Sequence, residues 1–248
     1  MSSQIKIKIC GITNEEDYLS AISLGADYVG FVFYKGSPRY VSLERVMEIT
    51  EHIGPCRGGC SIGGVRGCTA PRCHKRVGVF VNESIERVRE IYNRASLDIV
   101  QLHGDESVEY IRELGLRCWK VFRIRDMKSF TSIKNYFHGI DGKEDCGLIS
   151  TYLLDTYLDG NPSLYGGTGK PFDYGLIEMA FENDLFEDKR LIISGGISSE
   201  NLERVMGGKY EIFGVDVNSS IEQYPGKKDG EKMEKLFHVF NSLRGLAS

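Results

Sequence analysis

Leu153-Leu154-Asp155-Thr156, followed by Gly166-Gly167-Thr168-Gly169-Lys170-Pro171-Phe172-Asp173, is the stretch whose reading decides the fold. An apolar run ends in one carboxylate, and after a loop a glycine-rich turn opens a helix. The run predicts a buried strand, and the turn predicts backbone N–H groups that no Cβ obstructs. A carboxyl at a strand end beside such a turn is how an open-topped α/β protein presents an acid to a phosphorylated ligand.

Working outward from this stretch, the same unit recurs. Downstream, Leu191 to Ile193 runs into Ser194, Gly195 and Gly196 and a helix with Leu202 and Val205. Phe213 to Val217 is followed by Asn218 and Ser219, and the last helix places Met233, Leu236, Phe237 and Phe240 on one face. Upstream, Ile5, Ile7 and Ile9 alternate with polar residues up to Cys10 and Gly11. Thr13 and Glu16 then predict a capping box, and Tyr18, Leu19 and Ile22 an apolar face that stops at Gly25. Tyr28 to Phe33 precedes a loop with Ser37, Pro38 and Arg39 and a Ser42-capped helix bearing Val46, Met47 and Ile49. Val77 to Val81, Ile99 to Leu102 and Cys118 to Ile124 are each followed by a helical pattern.

Strands that are apolar at nearly every position, alternating with amphipathic helices, are parallel strands covered by helices. About eight such units in 248 residues predict one (β/α)8 barrel, the TIM-barrel architecture, spanning residues 1–248 as a single domain. Its active rim would carry Cys10, Arg39, His103, Asp155, Gly195 and Asn218.

Composition narrows the function. A 41% hydrophobic, 27% charged chain with net charge −4 can bury a sizeable core and has no basic stripe for nucleic acid. No leader-like or membrane-length apolar run is present, so a cytoplasmic setting without a membrane partner is expected. Seven cysteines, an odd count, form no complete disulfide framework and fit a reducing compartment.

On the rim, Cys10 precedes a helix, where the dipole and a bound cation would lower its thiol pKa and favour the basic thiolate; a small buried hydrophobe is the alternative. Asp155, flanked by leucines, suits a general acid with a raised pKa, or else it caps a helix. Gly195 and Gly196, with Asn218 and Ser219, follow the expected seventh and eighth strands, where barrels hold phosphate with loop amides and a short extra helix. Arg39 can grip a carboxylate bidentately, or it is a solvated loop arginine. Gln101 and His103 end the fourth strand; His103 is a second acid or base, or a satisfied rim residue.

With these residues in place, the chain closely resembles the phosphoribosylanthranilate isomerase family. The resemblance rests on KICGIT at Lys8 to Thr13, GADYVGFVF at Gly25 to Phe33, SPRYV at Ser37 to Val41, VGVFVN at Val77 to Asn82 and VQLHGDE at Val100 to Glu106. It continues with LLDT at Leu153 to Thr156, GGTGKPFDY at Gly166 to Tyr174, SGGI at Ser194 to Ile197 and GVDVNSSIE at Gly214 to Glu222. It implies an Amadori rearrangement of a phosphoribosyl amine in tryptophan biosynthesis, with Asp155 as acid, Cys10 as base and neither metal nor cofactor. It further implies Arg39 on the substrate carboxylate, and phosphate at the amides near Gly167, Gly169, Gly195, Gly196, Asn218 and Ser219. The expected partner is a small phosphoribosyl substrate, with the chain a monomer or a homodimer.

The sequence departs from the family at about residues 55–75, between the second helix and the third strand. Cys56, Cys60, Cys68, Cys73 and His74 lie there among five glycines, without apolar periodicity. Their spacing is not that of common zinc modules, so an irregular insertion without metal is expected, with a metal or redox site as the alternative. Two other readings stay open: a histidine-pathway aminoaldose isomerase, which would place an aspartate where Cys10 stands, and an inactive phosphate-binding barrel.

Overall fold

The computed structural model describes residues 4–51, 74–138, 148–156, 174–182, 190–208 and 210–246. Eight parallel strands close into a barrel: β1 (Lys6–Ile9), β2 (Tyr28–Val32), β3 (Lys75–Phe80), β4 (Ile99–Leu102), β5 (Cys118–Ile124), β6 (Ile149–Thr156), β7 (Leu191–Ile193) and β8 (Gly214–Val217). Closure is made by the first and last strands, with Lys6 opposite Gly214, Lys8 opposite Asp216 and Ile9 opposite Val217.

The helices between them are α1 (Glu15–Leu24), α2 (Leu43–Thr50), α3 (Ile85–Arg94), α4 (Val108–Leu114), α5 (Met127–His138), α6 (Tyr174–Glu182) and α7 (Leu202–Met206). After β8 come a single 3-10 turn at Ser219–Ile221, a small antiparallel ribbon of β9 (Glu222–Tyr224) and β10 (Lys227–Lys228), and the long α8 (Gly230–Leu246). The closed barrel and its alternating helices are those expected from the sequence.

Two cores result, because each strand is buried on both faces. The outward residues, among them Ile7, Ile9, Val29, Phe31 and Leu154, pack against the helices together with Met233, Leu236, Phe237 and Phe240 of α8. The inward residues fill the lumen: Tyr28, Val77, Trp119, Val121, Leu153 and Ile192 in one cluster, and Cys10, Val32 and Val79 in a smaller one. The Tyr28 and Trp119 rings meet edge-on at 4.8 Å.

Local chemistry sets the helix starts, with one shift from expectation. Ser42, Ser84 and Ser107 cap α2, α3 and α4 by accepting from the N–H three residues on. For α1 the cap is Asn14, which accepts from Asp17 N and donates back to its carboxylate. Thr13 is left to bond Gly226 O on the ribbon, so the expected Thr13–Glu16 box gives way to an Asn14–Asp17 pair. Met47 is 40% exposed; the inner face of α2 is Leu43, Val46, Ile49 and Thr50.

Of the sequence expectations, the glycine turn from Gly166 to Asp173 lies outside the described residues, and so does the 55–75 segment apart from His74 and Lys75.

Candidate active site

The carboxyl ends of parallel strands emerge on one side of a barrel, and residues that follow them converge. Here they line one narrow cleft. Cys10, Arg39, Gln101, His103, Asp155, Gly195, Gly196, Asn218 and Ser219 all face it, so the structure brings together every described residue that the sequence places on the rim. Gly167 and Gly169 lie outside the described residues.

Cys10 stands directly after β1, its N–H bonded to Val217 O of β8 at 2.9 Å. Its chemistry differs from the sequence expectation. The N-terminus of α1 is not adjacent, being capped at Asn14, and burial pushes the thiol pKa up against the downward pull of the Lys8 ammonium. Asp155, the penultimate residue of β6 and 3% exposed, has its Oδ2 3.2 Å from His103 Nε2. His103, expected as a satisfied rim residue or a second acid or base, thus stands in direct contact with Asp155.

Arg39 is buried and already gripped. Its Nε donates to Glu222 Oε1 at 2.9 Å and its Nη2 to Glu222 Oε2 at 2.7 Å. Glu222 also receives Lys228 Nζ at 3.1 Å and Gly226 N at 3.2 Å, and Lys228 Nζ reaches Asn218 Oδ1 at 2.9 Å. Burial opposes ionisation of Glu222, but the Arg39 bonds and the Lys228 charge outweigh it and hold the carboxyl below its ordinary range. The guanidinium is thus aimed from behind by the ribbon that follows β8.

Glycines make room for these approaches. Gly11 has φ +73°, and a Cβ on it would lie 2.7 Å from Asn218 Oδ1 and 2.8 Å from Arg39 Cδ. Gly195 and Gly196 have φ +86° and +67°, a left-handed pair that turns the chain out of β7 at the cleft wall.

Four site residues escape a sequence reading: Lys8, Asp216, Glu222 and Lys228. Lys8 Nζ donates to Asp216 Oδ2 at 2.8 Å, and both side chains are buried. Asp216 Oδ1 and Gln101 Oε1 have no hydrogen-bond partner among the described residues, yet both residues line the cleft. Two buried acceptors at a cleft wall are free to accept from hydroxyl or amine donors. Strand periodicity offers a signal: Lys8 precedes Cys10 by two, and Asp216 precedes Asn218 by two, so each shares the inward face of a rim residue.

The likeness to known proteins agrees with this geometry. The family model described as N-(5'phosphoribosyl)anthranilate (PRA) isomerase matches residues 67–239. The N-(5'-phosphoribosyl)anthranilate isomerase of Rubrobacter xylanophilus is 39% identical over 240 residues, covering 96% of this chain and 99% of the relative. The crystal structure of phosphoribosyl anthranilate isomerase from Thermotoga maritima superposes with a TM-score of 0.74 at 33% identity, over 96% of this chain and 99% of that one. A further isomerase structure, in complex with reduced 1-(o-carboxyphenylamino)-1-deoxyribulose 5-phosphate, gives 0.72 at 31% identity, over 96% of this chain and 99% of that one. A barrel with a buried thiol just after its first strand and a buried carboxyl near the end of its sixth, matched along almost its whole length, belongs to the N-(5'-phosphoribosyl)anthranilate isomerase family.

Proposed function

We propose that this chain converts N-(5-phospho-D-ribosyl)anthranilate into 1-(2-carboxyphenylamino)-1-deoxy-D-ribulose 5-phosphate, the aminoaldose to aminoketose step of L-tryptophan biosynthesis. The observation that carries the reading is the shared cleft: Cys10 on β1 and Asp155 on β6 face one space, with the turns after β7 and β8 between them.

In this reading Asp155 protonates the furanose ring oxygen, the C1–O bond breaks, and the amine nitrogen supplies the pair that forms the Schiff base. The Cys10 thiolate then takes the C2 proton, and the C–H pair becomes the C1=C2 bond of an enolamine. That species tautomerises, C1 gaining a proton as the C2 hydroxyl loses one to become the ketone. The reaction only redistributes protons and bonds within the substrate, so no external oxidant or reductant is needed.

Arg39, preset by Glu222, takes the anthranilate carboxylate. Backbone N–H groups of Gly195, Gly196, Asn218 and Ser219 take the phosphate, joined by Gly167 and Gly169. Asp216 Oδ1 and Gln101 Oε1 accept from ribose hydroxyls. We place the enzyme in the cytoplasm as one barrel over residues 1–248, monomeric or homodimeric. None of the helices is long and apolar enough to cross a membrane, among the described residues.

The test is the decay of phosphoribosylanthranilate fluorescence on adding protein. Wild type is expected to quench it, and Cys10→Ala and Asp155→Asn to slow the decay about 10²–10⁴-fold. A folded wild type that leaves the signal unchanged refutes the reading.

A further inference from the structure

A buried thiol is a poor base unless something opposes the cost of charging it in a medium of low dielectric. Two residues before Cys10 in β1, and therefore on the same inward face, stands Lys8. The pairing of β1 with β8 sets Lys8 opposite Asp216, whose Oδ2 accepts from Lys8 Nζ at 2.8 Å. On the other flank, β2 presents Gly30. A Cβ there would sit 2.8 Å from Cys10 Sγ, 3.0 Å from Lys8 Cε and 3.2 Å from Lys8 Nζ. Thiol and ammonium therefore occupy the one hollow that the missing side chain leaves, inside the lumen and away from water.

We infer that Lys8, tethered by Asp216, is a positioning residue that sets a fixed cation beside the Cys10 sulfur and so supplies the basic form of that thiol. The inference deepens the reading of Cys10 as the base and rests on it.

The charged groups facing Cys10 are few. Lys8 comes from β1, Asp216 from β8 and Lys228 from β10; Arg39, His103 and Asp155 line the same cleft. Lys228 is spoken for by Glu222 and Asn218. Burial raises the Cys10 pKa most, and Lys8 is the strongest influence in the opposite direction, ahead of Lys228. The effect is mutual: against burial, Asp216 and Cys10 together hold the Lys8 pKa above its ordinary value. A lysine that was only the structural half of an ion pair would leave the titration of the sulfur alone.

The experiment is the pH dependence of Cys10 alkylation by iodoacetamide, read on the Cys10 peptide, with Cys10→Ala as blank, beside the pH profile of kcat/KM. In Lys8→Met, both the alkylation midpoint and the acid limb of the profile are expected to move up together by about one pH unit or more, a tenfold loss of thiolate near neutrality. KM should change far less than kcat. Because Lys8→Met strands a buried carboxylate, Lys8→Met/Asp216→Asn is the second variant; it removes both charges at similar volume and should fold. Asp216 pushes the Cys10 pKa the other way, so the double variant is read against Asp216→Asn alone. A folded Lys8→Met with the wild-type midpoint, or a folded double variant with the midpoint of Asp216→Asn, overturns the inference. Full turnover in Cys10→Ala overturns instead the reading of Cys10 as base, and the alkylation midpoints still judge Lys8.

Discussion

Two buried lysines of this barrel face a carboxylate at the same 2.8 Å, and they do different things. Lys120, on the outward face of β5, donates to Glu106 and also to Gly104 O at 2.7 Å. Glu106 in turn accepts from Asn82 N at 2.9 Å and from Gly104 N at 3.1 Å, so the pair is closed by hydrogen bonds and pegs the loop that follows His103. Lys8, on the inward face of β1, has Asp216 on one side and the Cys10 thiol on the other, while Asp216 Oδ1 is left without a hydrogen-bond partner. Their proton affinities move in opposite directions. Burial pulls Lys120 below its ordinary value despite Glu106, whereas Asp216 and Cys10 together lift Lys8 above it. The Lys120 pair holds a loop, and the Lys8 pair, with an acceptor left over at the cleft, is the one we infer to act on the thiol.

The sharpest way to break this contrast is Lys120→Met. It leaves Glu106 buried without its cation, and a loss of about 3–5 kcal/mol in urea unfolding is expected, with Cys10 alkylation keeping its wild-type midpoint. A shift of that midpoint like the one expected for Lys8→Met would erase the distinction.

Next in size is a buried base paired with a tyrosine. His74 Nε2 meets Tyr18 Oη at 2.6 Å, and burial, aided by the Arg76 charge, lowers the imidazole pKa from 6.5 to about 4. The unfolded chain binds this proton at the ordinary value and the folded one does not. The contribution is therefore whole above pH 6.5 and is lost as pH falls toward 4, by about 3 kcal/mol in all. The difference in stability between pH 7 and pH 4.5 should shrink in His74→Asn; an unchanged difference would count against a neutral, buried His74.

The smallest expected effect is at Gly30→Ala. The added methyl enters the hollow 2.8 Å from Cys10 Sγ, at an expected cost of about 1–3 kcal/mol and with a fall in turnover. Full activity at wild-type stability would mean that Lys8 and Cys10 do not need the space.

What could be read from the sequence follows from one geometric fact. Parallel strands all deliver their last residue to the same end, so Cys10, His103, Asp155, Gly195 and Asn218 could be placed on one rim before any side chain was seen. What could not be read is which groups answer one another across the barrel. Lys6 and Lys8 alternate with isoleucines and look like the wet face of a strand, yet in a closed barrel that face is the lumen, and Lys8 is 1% exposed. Arg39 is legible as a carboxylate grip, while its partner Glu222 lies 183 residues away in a ribbon without periodicity of its own. Thr13 looks like the cap of α1 because local spacing favours it, and it is diverted by Gly226, a contact no local rule contains. The thiol of Cys10 was expected below its usual pKa from its place before a helix; burial in the lumen, invisible in the local sequence, sets the opposite direction.

The bond between Lys8 and Asp216 joins residues 208 positions apart, the first strand to the last. During synthesis the N-terminal strand leaves the ribosome long before its partner is made, and until β8 arrives Cys10 is an ordinary cysteine with no cation held against it. On the inference drawn for Lys8, the reactivity of the sulfur reports closure of the ring: a truncated or half-assembled chain can carry every strand up to the seventh, Lys8 included, and still lack the carboxylate that holds the ammonium in place.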